Sequence, residues 1–305
     1  MKFVLLFVPI LMWSYVGILV KVAAIAFSPA LISFFRFFFG VVFLGLYHAA
    51  TRRRPRLVFG DAWIWVAAAA KSINYIAENG AITRGASWGY IVEQPVQAVA
   101  LLLISALYFR ERPGMRKLAA AFLCIVGALL VGVKGFSAVR VGGAMDFLLF
   151  AVAACGASAH MMGQKVLMGR MDSGSMNLSV FLIASVFTAL PLPFSGPAIA
   201  GPLAVAPVAA AVALGFITGA SFLLWGVALS RFSFLTTGIL SNSLGLFALL
   251  WGVLLRGEMP DAWSLAGTAV FIAGLLVMNL PSRTSPSGAA GTDRSVRGRR
   301  RPRRG

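Results

Sequence analysis

Residues 206–255 read APVAAAVALGFITGASFLLWGVALSRFSFLTTGILSNSLGLFALLWGVLL, and Arg231 is the only charged residue among them. Two apolar runs, 206–228 and 234–255, flank the tripeptide Arg231-Phe232-Ser233. At about 1.5 Å per helical residue, each run suffices to cross a hydrocarbon core of about 30 Å. A turn this short forces the two helices to lie antiparallel, side by side.

Working outward, similar runs predict helices near 3–22, 30–48, 62–81, 87–108, 117–134, 144–163 and 177–194 before this pair, and 263–280 after it. Another short connection, Thr83-Arg84-Gly85-Ala86, predicts a second antiparallel pair. The composition agrees: 59% of the 305 residues are apolar, 12% are charged, and the mean hydropathy is +0.88. Soluble domains carry roughly 25% charged residues. Too little polar surface is present to face water all round, and in lipid every backbone group must be paired internally. The expected class is an all-α polytopic membrane protein with ten transmembrane helices. The alternation of a barrel strand is absent.

The net charge of +18 is concentrated rather than spread. Eight arginines lie between Arg283 and Arg304, and Arg52, Arg53, Arg54 and Arg56 form a second cluster. Basic clusters beside apolar spans retain loops on the cytoplasmic side, which explains the charge without nucleic acid. With the N-terminus inside, twenty Lys and Arg fall on cytoplasmic segments and five on outer ends. The predicted placement is the bacterial inner membrane, multi-pass, with both termini cytoplasmic. Residues 281–305 lack an apolar face and predict a disordered basic tail that touches anionic head groups. The apolar run after Lys2 reaches Lys21 without a small-residue cleavage site, so it reads as a first span rather than a signal peptide. Cys124 and Cys155 lie within spans and show no metal-ligand spacing, which predicts small packing residues.

An internal repeat appears at an offset of 147 residues. Ala81-Ile82-Thr83-Arg84 matches Ala228-Leu229-Ser230-Arg231, Glu111 matches Glu258, Leu118-Ala119 matches Leu265-Ala266, and Gly127 matches Gly274. At a slightly different offset, Ser14 and Lys21 match Ser158 and Lys165. The halves are 1–140 and 141–280. Five spans per half, an odd number, would insert the second copy upside down, giving two inverted five-helix repeats. Secondary transporters use that architecture, with the substrate site between the halves near mid-membrane.

Ionisable residues inside spans carry the chemistry, because each costs a few kcal/mol unless paired or hydrated. Arg36, Lys71, Glu78 and Glu93 are the clear cases. Lys71, Asn74, Tyr75 and Glu78 follow the i, i+3, i+4, i+7 spacing of one helical face, and Glu93 and Gln97 share another. Two readings stand side by side. Either these groups form an ion-pair network that fixes helix packing, or they line a polar cavity. In the cavity reading, Arg36 and Lys71 attract a carboxylate or phosphate, and Glu93 or Glu78 holds a proton or an ammonium. His160, four residues before Gln164, is a candidate proton relay or a packing histidine. Asn242, between Ser241 and Ser243, interrupts the ninth span where Pro95 interrupts the fourth. Paired interruptions of this kind point to a binding site. Glu111 and Glu258 sit at span ends beside Arg112 and Arg256, which predicts interfacial ion pairs.

Several of these residues together resemble the EamA-type members of the drug/metabolite transporter superfamily. They are Trp13-Ser14 with Lys21, Pro29, Arg36-Phe37, Ala81, Pro95, Glu111-Arg112 with Gly127, and Gly257-Glu258 with Leu265-Ala266-Gly267 and Gly274. The resemblance covers residues 3–280 and implies ten helices in two inverted repeats, with export or uptake of small metabolites. It places Trp13 at the cavity end of the first span and includes Arg36 irrespective of substrate, which favours a structural role for Arg36. The second half departs from the first: Ala157 stands opposite Trp13, Asn242 opposite Pro95, and Arg36 has no counterpart.

No phosphate loop, His-x-x-x-His pair or Gly-x-Ser-x-Gly elbow is present, so neither an enzyme, a cofactor nor a metal is expected. The function expected is a secondary transporter, an exporter of small polar metabolites such as amino acids. It would work by alternating access, either coupled to protons or by facilitated diffusion, in lipid, as a monomer or homodimer. A polytopic membrane enzyme and a non-transporting assembly factor are the alternatives.

Overall fold

A computed structural model describes residues 4–84, 89–111, 114–131, 133–241 and 262–279, with scattered positions between 243 and 254. The described residues are helical apart from turns, a short 3-10 segment at Leu192–Phe194 and one isolated bridge between Phe27 and Ile199. The helices are α1 (Val4–Ser14), α2 (Val16–Ala23), α3 (Pro29–Ala50), α4 (Ala62–Thr83), α5 (Gly89–Leu107), α6 (Met115–Val131), α7 (Val133–Leu167), α8 (Ser173–Ala189), α9 (Val205–Arg231), α10 (Phe234–Ser241) and α11 (Ala262–Asn279). Among the described residues, five segments are long and apolar enough to cross a membrane: Leu5–Ala23, Pro29–Ala50, Met145–Leu167, Ser173–Phe194 and Val205–Arg231.

Two boundaries differ from the sequence reading. The first predicted span is broken at Tyr15 into α1 and α2. There the Ser14 hydroxyl donates back to the Leu11 carbonyl at 2.7 Å, a local bond that competes with the helix ladder and bends it. Pro9 adds a missing donor within α1. Conversely, residues 135–143, read as a loop, are helical and extend α7 to 35 residues. Nothing between Val133 and Leu167 is a proline, so no residue forces the helix to end. The basic tail and Glu258 lie outside the described residues.

Which faces are buried identifies the solvent. On α4, Lys71, Asn74, Tyr75, Glu78 and Asn79 are buried, whereas Trp65, Val66, Ile73 and Ile76 are exposed. On α3, Arg36 is 2% exposed while Phe38, Val42 and Leu46 face outward. Charge inside and apolar groups outside is the reverse of what water selects, and is what lipid selects.

Helix ends are finished by side chains. Ser28, Asp61 and Asp172 cap α3, α4 and α8. The turn between α9 and α10 is clasped from two sides. Lys165 donates to the carbonyls of Leu229 and Phe232, and Glu111 accepts from the backbone N–H groups of Phe234 and Leu235. Glu111 thus serves as a helix cap, since the start of α10 offers unpaired donors that favour a carboxylate. Arg112, Arg256 and Glu258 lie outside the described residues.

The contact between α6 and α11 is reciprocal. A Cβ added at Gly127 would meet the Phe271 nitrogen at 2.6 Å and the Gly267 carbonyl at 2.8 Å. One added at Gly274 would meet the Cys124 sulfur at 2.8 Å and the Ala120 carbonyl at 3.0 Å. Positions 120, 124 and 127 correspond to 267, 271 and 274 at the offset of 147. Each helix thus presents to the other what it receives, running antiparallel, and only small residues permit so close an approach.

Candidate functional site

A cavity of about 70 Å³ lies among α1, α2, α3, α4, α5, α7, α9 and α10, several times the ~10–15 Å³ one water needs. Trp13, Arg36, Lys71, Asn74, Glu78, Glu93, Gln97 and His160 all line it. Asn242 lies outside the described residues, although its neighbour Ser241 is at the wall.

The four ionisable residues are not equivalent. Arg36 is consumed within the protein: its guanidinium donates to Glu78 Oε2 and Asn79 Oδ1, both at 3.1 Å, and stacks 3.3 Å from the Tyr75 ring centroid. Glu78 is 6% exposed and bound in this ion pair. A buried pair of this kind orients helices, here α3 against α4. Lys71 is different. Its ammonium donates to Asn74 Oδ1 at 2.6 Å and lies 4.3 Å and 4.8 Å from the centroids of the Tyr75 and Phe222 rings. Among the described residues no carboxylate comes within ion-pair distance of it. The ring faces supply part of the missing negative potential.

Asn74 stands between Lys71 and Glu93. Its amide nitrogen donates to Glu93 Oε1 at 3.4 Å and to the Ala153 carbonyl at 2.9 Å. Gly156 makes room for this: a Cβ there would meet the Ala70 carbonyl at 2.7 Å and the Asn74 nitrogen at 3.0 Å. Glu93 Oε2 is buried and has no hydrogen-bond partner among the described residues. The same holds for Gln94 Oε1, His160 Nε2 and Trp13 Nε1.

His160 Nδ1 lies 2.9 Å from the Ala67 carbonyl, so Nδ1 carries the proton and Nε2 is left as an acceptor in the neutral ring. Gln164, expected beside His160, instead donates to Asn177 Oδ1 at 2.9 Å. Gln97 contacts the Met161 sulfur at 3.5 Å. Trp13 packs on Phe222 and Trp225, each with ring centroids 5.0 Å away.

The wall also holds residues that the sequence alone does not single out, among them Gln94, Phe222 and Leu244. Each is a repeat partner or neighbour of one that it does single out. Tyr75 and Phe222, Gln94 and Ser241, and Gln97 and Leu244 are pairs 147 residues apart, and all six line the cavity. Trp13 and Ala157, and Val16 and His160, are pairs 144 residues apart and line it too. Applying the repeat offset to Tyr75 and Gln97 would have found their partners.

The apolar helices and their inward-facing charges are those of a membrane protein. Residues 1–133 and 144–280 match the model of the EamA-like transporter family, and the chain belongs to that family. Over 75 residues it is 36% identical to a UPF0060 membrane protein of Staphylococcus haemolyticus, covering 23% of this chain and 69% of that one. A solved crystal structure shares the fold with a TM-score of 0.78 at 18% identity, over 92% of this chain and 98% of the other.

Proposed function

We propose that the protein is a secondary transporter that exports small polar metabolites, amino acids among them, across the bacterial inner membrane by alternating access. The observation that carries this reading is the pairing of the cavity wall: residues related by the repeat offset meet around one polar space. Further support comes from the family match to each half and from the reciprocal α6–α11 contact. Ten helices in two inverted repeats would place such a cavity near mid-membrane. Each half could then adopt the other's conformation, exchanging the side that is open. Arg36 and Glu78 hold the first half together, whereas Lys71 and Glu93 remain to engage a substrate. Glu93 is the proposed proton carrier, since a proton and a substrate cation compete for the same oxygen. A gradient rather than ATP drives the cycle.

The test is flux of labelled metabolites through proteoliposomes, with and without a pH gradient. Efflux of at least one polar metabolite, accelerated by the gradient, is expected. Glu93→Gln should abolish the acceleration while leaving expression and folding intact. Absence of flux for every member of a broad panel, from folded protein, rejects transport. Unchanged coupling in the variant rejects the role of Glu93.

A further inference from the structure

We propose that the basic turn after α3 binds one anionic phospholipid, with its phosphate on Arg52, Arg53 and Arg54 and an acyl chain along α3 beside Gly45. The proposal needs the chain to be a membrane protein and is independent of transport and of the central cavity.

The turn is fixed at both ends. α3 ends at Ala50, and the N–H groups of Thr51, Arg52 and Arg53 fold back onto the carbonyls of Tyr47, Ala49 and His48, at 3.0, 3.1 and 3.1 Å. Arg52 takes the left-handed conformation, with φ 53°, a place that glycine or asparagine ordinarily fills at a helix end. The His48 ring, 5% exposed, brings Nδ1 to 3.2 Å from the Arg53 carbonyl. Beyond Pro55 the chain is fastened to α8, where the N–H groups of Arg56 and Val58 donate to the Ser175 and Ser179 hydroxyls at 3.0 and 3.1 Å. Retaining a loop on one side of a membrane needs basic residues but no fixed backbone. Here three successive guanidinium groups hang from a pinned one.

Their charge is unmet. Among the described residues no carboxylate lies within ion-pair distance of Arg52, Arg53 or Arg54, and all three are exposed. Asp61 and Asp172, which stand on neighbouring elements, are engaged with Arg170 and as the cap of α8. The three arginines, with Gly45, His48 and Ala49, line a recess of about 370 Å³. Gly45 and Ala49 are exposed one turn apart on one face of α3, and Val42 and Leu46 beside them are also exposed. A Cβ added at Gly45 would meet nothing within 4 Å, so the face is hollow there.

An apolar trough therefore runs into a cluster of cations at the helix end. Hydrocarbon followed by negative charge is the chemistry of an anionic phospholipid at the bilayer boundary, and guanidinium forks suit phosphate oxygens. A zwitterionic headgroup would bring its own cation to three others. A free phosphate would leave the trough empty.

The full-length protein in detergent is titrated with phosphatidylglycerol and with phosphatidylcholine of the same acyl chains. Its melting temperature is followed, and native mass spectrometry counts the lipids retained. Half-maximal stabilisation by phosphatidylglycerol is expected at a concentration about tenfold lower than by phosphatidylcholine, with one lipid retained. Changing Arg52→Gln, Arg53→Gln and Arg54→Gln together should remove that preference. Gly45→Leu keeps every charge and fills open space, so the unliganded melting temperature should hold while phosphatidylglycerol binding weakens about tenfold. Arg299→Gln, Arg300→Gln and Arg301→Gln together remove equal charge from the tail and should leave the retained lipid in place. Equal action of the two lipids, equal loss from the tail variant, or no effect of Gly45→Leu overturns the proposal. Glycerol 1-phosphate acting as well as phosphatidylglycerol makes the site one for soluble phosphates, which also overturns it. So does a lipid-free dimer that Gly45→Leu disrupts. None of these outcomes bears on flux through the central cavity.

Discussion

Two cation–carboxylate sets of different character lie within one bundle. Arg36 meets Glu78 directly at 3.1 Å, whereas Asn74 holds Lys71 and Glu93 at its two ends. An amide between two charges keeps both hydrogen-bonded without neutralising either at contact. A third carboxylate, Asp61, works outside the bundle. The Trp63 backbone N–H on one oxygen and Arg170 on the other hold its carboxyl below the ordinary value of 3.8, against the opposing effect of partial burial. A depressed carboxyl stabilises the fold above the unfolded value, near pH 4, and loses that contribution as pH falls through the folded one. Asp61→Ala should cost about 1 kcal/mol at neutral pH through the lost cap. Its melting temperature and that of the wild type should draw together as pH falls below about 4, and converge only below the folded value, where the carboxyl is protonated in both the folded and the unfolded state. A difference that stays constant from pH 7 to pH 3 would overturn this account.

At the scale of elements, the α6–α11 contact is the most exacting. Gly127→Leu or Gly274→Leu would push side-chain atoms into backbone, with an overpacking cost of about 1–3 kcal/mol. Reciprocity predicts comparable losses from the two, which thermal unfolding in detergent can compare; a loss at only one position argues against a shared geometry. Helix positions along the chain were legible because an apolar run of membrane length has few alternatives. The break at Tyr15 was not legible, as it depends on where a serine hydroxyl turns and on Trp251 donating to that same oxygen at 2.7 Å. Nor was the length of α7, because the residues from Val133 to Ala144 include glycines and polar groups that suit a loop as well as a helix. The face Lys71-Asn74-Tyr75-Glu78 was legible by its spacing. That Glu78 belongs to Arg36 and Glu93 to the cavity was not, since spacing along one helix does not say which neighbour it meets.

For the whole molecule, the charge bias predicts that both ends of the chain share the cytoplasmic side. Protease added to inverted vesicles should remove a tag placed after Gly305, and protease added to intact spheroplasts should not. Removal from the outside would reverse the proposed orientation. The Asp61–Arg170 pair, which ties the start of α4 to the turn after α7, belongs to the end that also carries the arginines of 52–56.

The reciprocal seam has a consequence in terms of assembly. Each half carries both the small residue and the surface that receives it, which is how two identical subunits meet about a two-fold. The covalent connection then does not choose which surfaces join; it raises the local concentration of one half around the other. What it does permit is divergence. Two identical chains closing on this seam would place two copies of Glu93 and two of Lys71 around the shared space, with like charges facing. A single chain places one of each, with Ala157 opposite Trp13 and His160 opposite Val16. Symmetry is kept where the halves touch, and given up where a molecule without symmetry of its own would have to fit.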